Sequence, residues 1–258
     1  MSTHQPTALI TGASSGIGET FARKLSKKGY RVLIAARRKE RLLKLAEELG
    51  NAEILNIDLS IEPDILHLEE KIASEPNLEF LVNNAGFGVP GRYFEADIKD
   101  LHRMFQVHVV AIERLTHAAL KEMVRRDSGN IINVSSVAGY FTTLNSTAYS
   151  STKAWINSFT EGLYIELKNI GSSVRVQALC PGFTYTEFHD VINMDRSRIA
   201  KQLWMTSEDV VDTSLKMLNK NRLFVIPGWR YRFFVKLSHF LPRSLKHIIA
   251  IKMGDARK

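Results

Sequence analysis

The chain is predicted to fold as an α/β domain, a doubly wound parallel sheet of about seven strands with helices on both faces. Three observations predict it. Short apolar runs alternate with segments of helical apolar spacing from Thr7 to Ile226. Several of these runs are continuous rather than alternating, as parallel strands covered on both faces require. Glycines 12, 16 and 18 stand between the first strand and the first helix, a turn chemistry that belongs to such sheets.

The elements follow in order. Thr7 to Thr11 reads as a strand, and the helix after it runs to about Lys28, where Gly29 stops it. Tyr30 to Ala36 is an apolar strand. Arg38 to Leu49 has leucines at 42, 43, 45 and 49, a helical spacing closed by Gly50. Strand Glu53–Ile57, helix Ile61–Ala73 and strand Leu78–Val82 follow, the last ending in Asn83-Asn84-Ala85-Gly86. A glycine-rich loop covers Phe87 to Glu95, and one long helix covers Ile98 to Arg126. Strand Asn130–Val134 and helix Tyr149–Asn169 come next. Strand Val174–Leu179 is closed by Cys180-Pro181-Gly182. An irregular lid spans about 183–206. Helix Glu208–Leu218 and strand Leu223–Ile226 complete the pattern before Pro227-Gly228. No linker divides these elements, so residues 1–228 read as one domain and 229–258 as a basic amphipathic tail.

Composition bounds the function. The chain has 258 residues, 45% hydrophobic and 24% charged, enough for a sizeable core without disulfides. Its single cysteine, Cys180, precludes an intrachain disulfide and fits a reducing compartment, and its apolar surroundings read as a buried structural thiol. The N-terminal residues lack a signal-peptide pattern, and no run is long enough to span a bilayer. A cytoplasmic protein is expected. The formal net charge of +8 suits nucleic acid, anionic membrane or a phosphorylated ligand. No finger or helix-turn-helix signature favours nucleic acid, and no metal site is expected.

The chemistry concentrates between Ser135 and Lys153. If Tyr149 to Lys153 starts a helix, both side chains leave one face. A free phenol titrates at roughly 10, and a nearby lysine cation favours the phenolate. The phenol could then exchange a proton with a substrate oxygen, with the Ser136 hydroxyl on the same atom. On its own the Tyr149/Lys153 spacing also fits two ordinary polar residues on a helix face.

The glycine turn points to a nucleotide. Gly12, Gly16 and Gly18 let the backbone approach a pyrophosphate, and the following helix N-terminus aims free N–H groups at it. The second strand ends in Arg37-Arg38, where an NAD site usually carries an acid for the ribose 2′-hydroxyl. An arginine there can pair with the 2′-phosphate of NADP, and NADP(H) is the expected cofactor. The plainer reading makes both arginines solvated helix-start residues.

With these motifs in order, the chain resembles the short-chain dehydrogenase/reductase family. The match runs through Thr11-Gly12-x-x-x-Gly16-x-Gly18, Asp58, Asn83-Asn84-Ala85-Gly86, Ser136, Tyr149-x-x-x-Lys153, and Pro181-Gly182 with Thr186. It covers roughly residues 7–190 and continues more weakly to about 227. The resemblance implies a Rossmann-type fold and a role for each position. Ser14, Ser15 and Ile17 would meet the phosphates and ribose. Asp58 and Leu59 would touch the adenine. Asn83, Asn84, Ala85 and Gly86 would lie on the adenosine-ribose side. Pro181, Gly182, Phe183 and Thr186 would seat the nicotinamide. Tyr149 would be the general acid, Lys153 would hold the nicotinamide ribose, and Ser136 would orient the carbonyl. Ser136 is preferred over Ser135 by the family spacing.

One position departs from the family. An asparagine that holds a relay water is replaced by His108, which fits either a relay or plain packing. The resemblance further implies a homodimer pairing the helices at 98–126 and 149–169. The lid residues Phe183, Tyr185, Phe188, Val191, Ile192, Leu203, Trp204 and Met205 imply an apolar carbonyl or alcohol substrate. The tail from Trp229 interleaves apolar residues with cations. It fits a helix packed on its own domain, a cover over the cleft or a partner, or peripheral contact with anionic membrane. The leading expectation is an NADPH-dependent carbonyl reductase or the reverse alcohol dehydrogenase. Its rival is an NADP(H)-binding regulatory or scaffold protein with the chemistry lost.

Overall fold

The structure is a computed structural model and describes residues 5–188 and 195–255. Seven parallel strands form one sheet in the order β3-β2-β1-β4-β5-β6-β7. They are β1 (Thr7–Thr11), β2 (Arg31–Ala36), β3 (Ala52–Asn56), β4 (Leu78–Asn83), β5 (Asn130–Val134), β6 (Arg175–Leu179) and β7 (Phe224–Val225). Register is set by the two-residue side-chain period. Ala8 and Ile10 of β1 face one layer and Leu9 the other. Val32 and Ile34 of β2 oppose Leu33 in the same way. Both faces are therefore apolar, which is why the strands read as continuous runs. Each fully buried aliphatic side chain contributes roughly 1.5–3 kcal/mol.

One layer holds α1 (Gly16–Lys27), α2 (Lys39–Leu49) and a later helix at Ser207–Leu218, packed through Phe21, Leu25, Leu42 and Val211. The other holds α3 (Glu62–Ala73), the helices at 98–126, and α6 (Thr147–Asn169), packed through Ile65, Leu68, Leu115 and Leu167. The helix expected over Ile98–Arg126 is not uniform. It is α4 (Ile98–Phe105), a π-helical turn (Gln106–Val110) and α5 (Ala111–Arg126). Such turns insert a residue without breaking the apolar stripe, and they cluster at functional sites.

Helix α7 (Ser207–Leu218) opens with a capping box. Thr206 accepts from the Asp209 N–H, and the Asp209 carboxylate accepts from the Thr206 N–H. The tail forms two helices, α8 (Trp229–Phe240) and α9 (Arg243–Asp255), parted at Pro242. Tyr231, Val235 and Ser238 recur at i, i+4 and i+7 and bury one face of α8. Among the described residues no helix is long and apolar enough to cross a membrane.

The strand order reverses direction at β1. There the crevice opens between the carboxyl ends of β1 and β4, the place where doubly wound sheets bind ligands.

Candidate active site

The glycine turn sits at that crevice. Gly12 (φ 65°) and Gly16 (φ 57°) hold left-handed backbone that a side chain would strain. A Cβ on Gly18 would run into the Gly12 carbonyl and the Asn84 amide, so Gly18 lets α1 close on the turn. Asn84 donates from Nδ2 to the Thr11 carbonyl at 2.9 Å. The Thr11 hydroxyl accepts from the N–H groups of Asn84 and Ala85, both at 3.0 Å. These bonds tie the ends of β1 and β4 together beneath the crevice.

The two arginines after β2 are held differently. Arg38 donates to Ser15 Oγ at 2.7 Å, to Ser14 Oγ at 3.0 Å and to Glu187 at 2.7 Å. Glu187 lies between Arg38 and Arg41, and both hold its carboxyl below the usual range. Arg37 is 55% exposed and lies 3.9 Å from Asp58 Oδ2. The other Asp58 oxygen accepts from the Ser60 N–H at 3.0 Å and from its hydroxyl at 2.7 Å.

The chain after β5 presents two serines at the cavity with different partners. Ser135 Oγ donates to the Lys153 carbonyl at 2.9 Å and fastens α6. Ser136 Oγ instead accepts from the Ala138 N–H at 3.1 Å and borders the cavity with Tyr149. Lys153 Nζ donates to the Val134 carbonyl at 2.9 Å and lies 5.6 Å from the centre of the Tyr149 ring. Burial pushes Tyr149 up to about 12, opposed by hydrogen bonding from Ser136. Burial pushes Lys153 down to about 8. In both groups the cause is burial, which disfavours the charged form. Cys180 is buried as expected, and burial raises its thiol to about 12.

His108 lies in the π turn, fully buried. Its Nε2 accepts from the Phe87 N–H at 3.1 Å. Nδ1 therefore carries the proton and faces Thr152 Oγ1 at 2.9 Å, and Thr152 in turn donates to the Tyr149 carbonyl at 2.8 Å. Burial, with the Lys153 charge, holds His108 well below its ordinary value, so the ring is neutral. Both nitrogens are engaged in holding the Phe87 loop and the first turns of α6.

One cavity of about 1620 Å³ gathers nearly all the expected positions. Its wall includes Gly12, Ser14, Ser15, Gly16, Ile17, Arg37, Arg38, Asp58, Leu59, Asn84, Ala85 and Gly86. It continues through Ser136, Tyr149, Lys153, Pro181, Gly182, Phe183 and Thr186. Gly18 and His108 stand behind it. Asn83 does not reach it either: its amide donates to Asn133 at 2.9 Å and Thr116 at 3.0 Å, in a buried network. This corrects the ribose contact expected of Asn83. Asn83 and Asn84 point to opposite faces, and only Asn84 faces the crevice.

The lid divides as well. Phe183, Phe188 and Leu203 line the cavity. Tyr185 instead stacks on Trp204 at 4.9 Å between centroids, and Met205 pairs with Thr184, so these residues pack the lid itself. Val191 and Ile192 lie outside the described residues. The tail contributes a wall that no motif announced, including Tyr231, Phe234, Leu237, Leu241 and Lys246. Its interleaved apolar residues and cations were the only signal.

A doubly wound sheet with a glycine turn at its switch point is the frame of a dinucleotide-dependent oxidoreductase. The short chain dehydrogenase family model matches residues 6–197. An uncharacterized oxidoreductase of Staphylococcus aureus (strain USA300) is 31% identical over 225 residues, covering 85% of this chain and 96% of the relative. A short-chain dehydrogenase from Sphingobium yanoikuyae in complex with NADPH is 29% identical, with TM-score 0.83 over 93% of this chain and 97% of that one. The bulky-bulky ketone specific alcohol dehydrogenase from Comamonas testosteroni is 28% identical, with TM-score 0.79 over 94% and 97%. The chain belongs to the short-chain dehydrogenase/reductase family. It is an oxidoreductase of the class that works with a nicotinamide cofactor.

Proposed function

We propose that the chain reduces the carbonyl of an apolar substrate with NADPH, or runs the reverse oxidation. One observation carries this reading: Tyr149, Ser136 and Lys153 line the same cavity as the glycine turn and both arginines. The residues fit a dinucleotide. Left-handed glycines clear a path for a pyrophosphate, and Ser14, Arg37 and Arg38 surround the place for a 2′-phosphate. When bound, the reduced nicotinamide supplies the hydride. Tyr149 gives the proton to the carbonyl oxygen, Ser136 donates a hydrogen bond to that oxygen, and Lys153 binds the nicotinamide ribose. His108 acts as a positioning residue through Thr152. The NADPH-bound relative supports the cofactor choice, and the bulky-ketone relative together with Phe188, Leu203 and Phe234 supports an apolar substrate.

The test is NADPH oxidation over ketones and aldehydes from small to steroid-sized, beside Tyr149→Phe. Turnover that disappears in the variant is the expected result. Silence across the panel with NADPH still bound would favour the scaffold reading instead.

Two further expectations have their own support. Phe105 and Ile165 are exposed on the helices proposed to pair in a homodimer, which light scattering checks. Trp229 (62% exposed) and Phe240 (76% exposed) stand among tail cations, as a peripheral membrane contact requires. The lone buried thiol is consistent with a cytoplasmic setting.

A further inference from the structure

Helix α9 brings cations as well as apolar residues to the rim of the cavity. Arg243, Lys246, His247 and Ala250 fall on one stripe, at i, i+3, i+4 and i+7, and all four line the cavity. Arg243 and His247 are themselves exposed at the rim, and Ile249 lines the cavity beside them, while Leu245 and Ile248 fall on the opposite stripe and are 41% and 52% exposed.

Among the ion pairs of the described residues, none includes Arg243, Lys246 or His247. Among the described residues, the acids on the cavity wall are engaged elsewhere. Glu187 pairs with Arg38 and Arg41, Asp58 faces Arg37 and accepts from Ser60, and Asp195 accepts from the Ser197 N–H. Lys246 is nevertheless half-buried. The tail from 229 to 258 carries eight lysines and arginines against one aspartate, so it supplies +7 of the formal +8. Cations on the wall of a low-dielectric cleft concentrate an anion there. The phosphates of the cofactor have their own cations, Arg37 and Arg38, beside the glycine turn. The same cavity wall carries the apolar side chains Phe234, Leu237 and Leu241 of the tail.

We propose that this end of the cavity holds the anionic head of the substrate, so that the molecule reduced is an amphiphile: an apolar body that carries the carbonyl, and a carboxylate or phosphate seated on Arg243 and Lys246. The proposal rests on the reductase reading and narrows its substrate class.

The test uses full-length protein and a series of methyl-ketone carboxylates of about eight to sixteen carbons, each beside its neutral methyl ester. An alkyl phosphate ketone of matched length separates the two anions. Expected at low salt is a kcat/KM for the best carboxylate or phosphate roughly tenfold or more above its neutral partner, which one charge-assisted hydrogen bond supplies. In Arg243→Gln/Lys246→Gln that ratio falls toward one. Lys236→Gln/Arg222→Gln removes two cations outside the cavity wall and leaves the ratio within about twofold of the parent. A parent ratio near one, or a ratio the cavity-side pair does not change, overturns the proposal while ester reduction still upholds the reductase. A weakened NADPH affinity with an unchanged ratio also overturns it, because the cations then serve the cofactor. If neither series is reduced, the reductase reading fails, and calorimetry on the NADPH-loaded protein decides. Carboxylate binding lost in the cavity-side pair supports the anion site, and absence of binding removes it.

Discussion

The ring of Tyr231 lies against Gly182, in the space a Cβ there would fill. Its hydroxyl accepts from the Phe183 N–H at 3.0 Å and donates to the Leu203 carbonyl at 2.6 Å. One tail side chain thus joins the Pro181-Gly182 turn to the far end of the lid. The turn is pressed in place from the other side by β5 and β6, since the Val137 N–H donates to the Pro181 carbonyl at 3.0 Å. Glycine at 182 is required here by space rather than by backbone angle.

Tyr231→Phe keeps the ring and removes both bonds. The Phe183 N–H is then left without its partner in a half-buried position, at a cost of about 1–3 kcal/mol. Urea denaturation checks the loss. Gly182→Ala is expected to cost more, because Tyr231 must move and carry α8 with it. Equal stability of Gly182→Ala and the parent would show that α8 does not press on the turn.

Lys153 makes a pH-dependent demand on the fold. Its folded value of about 8 lies below the ordinary 10.5 because burial disfavours the cation. Below pH 8 the side chain is charged in both states, and the folded site penalises that charge. As pH rises from 8 to 10.5 the folded state releases its proton first, and the penalty fades. Lys153→Met is therefore expected to be more stable than the parent at pH 7 by about 2 kcal/mol, after allowing for the lost bond to Val134. The advantage should vanish near pH 10.5. Unfolding curves at the two pH values check this, and activity should be lost in the same variant.

His108 acts in the same sense at lower pH. Its folded value lies well below 6.5, so below about that pH the unfolded chain takes a proton that the folded chain refuses. Stability therefore falls on acidification, and His108→Asn should flatten that fall between pH 7 and 5. His108→Ala leaves the Phe87 N–H unpaired and opens a cavity, at a cost of roughly 2–3 kcal/mol. Turnover should drop about tenfold through the loosened Thr152–Tyr149 link while the NADPH Kd stays near the parent value. A pH profile that keeps its acid limb in His108→Asn would move that limb to another group.

The strands were legible because both faces of the sheet are covered. Ile131 and Ile132 sit in opposite layers, so both must be apolar, and Asn130–Val134 was delimited to the residue. Side-chain direction at the strand ends was less legible. The doublet Asn83-Asn84 offers one residue to the crevice and one to the core, and in Ser135-Ser136 both line the cavity but only the first hydroxyl is spent on the Lys153 carbonyl. Family spacing separated the serines, but nothing separated the asparagines. The π turn was hidden because an inserted residue leaves the apolar content of 98–126 unchanged, and it is what brings His108 beneath Gly86. In the tail, alternation of apolar and basic residues announced a helix, but not which stripe would meet the cavity.

Cofactor choice separates the two arginines. Arg38 is fixed by Ser14, Ser15 and Glu187, whereas Arg37 is largely solvated. Arg38→Ala is expected to weaken NADPH about ten- to a hundredfold, in line with a charge-assisted bond, and NADH far less. Arg37→Glu should act in the same direction. Fluorescence titration with both nucleotides checks each variant. Equal losses for NADPH and NADH would take the 2′-phosphate away from this pair.

Membrane contact by the tail can be tested without disturbing the site. Removing 229–258 would strip Tyr231 from Gly182, and any lost liposome binding would then have two causes. Removing 241–258 leaves Tyr231, Val235 and Ser238 packed and takes away α9 with most of the tail cations. Full-length protein should sediment with vesicles containing anionic lipid at low salt and less so at high salt, since each surface cation contributes about 1 kcal/mol that salt screens. The shortened chain should stay in the supernatant. Sedimentation undiminished by the truncation would take α9 out of the contact, and none by the full chain would end the membrane reading altogether.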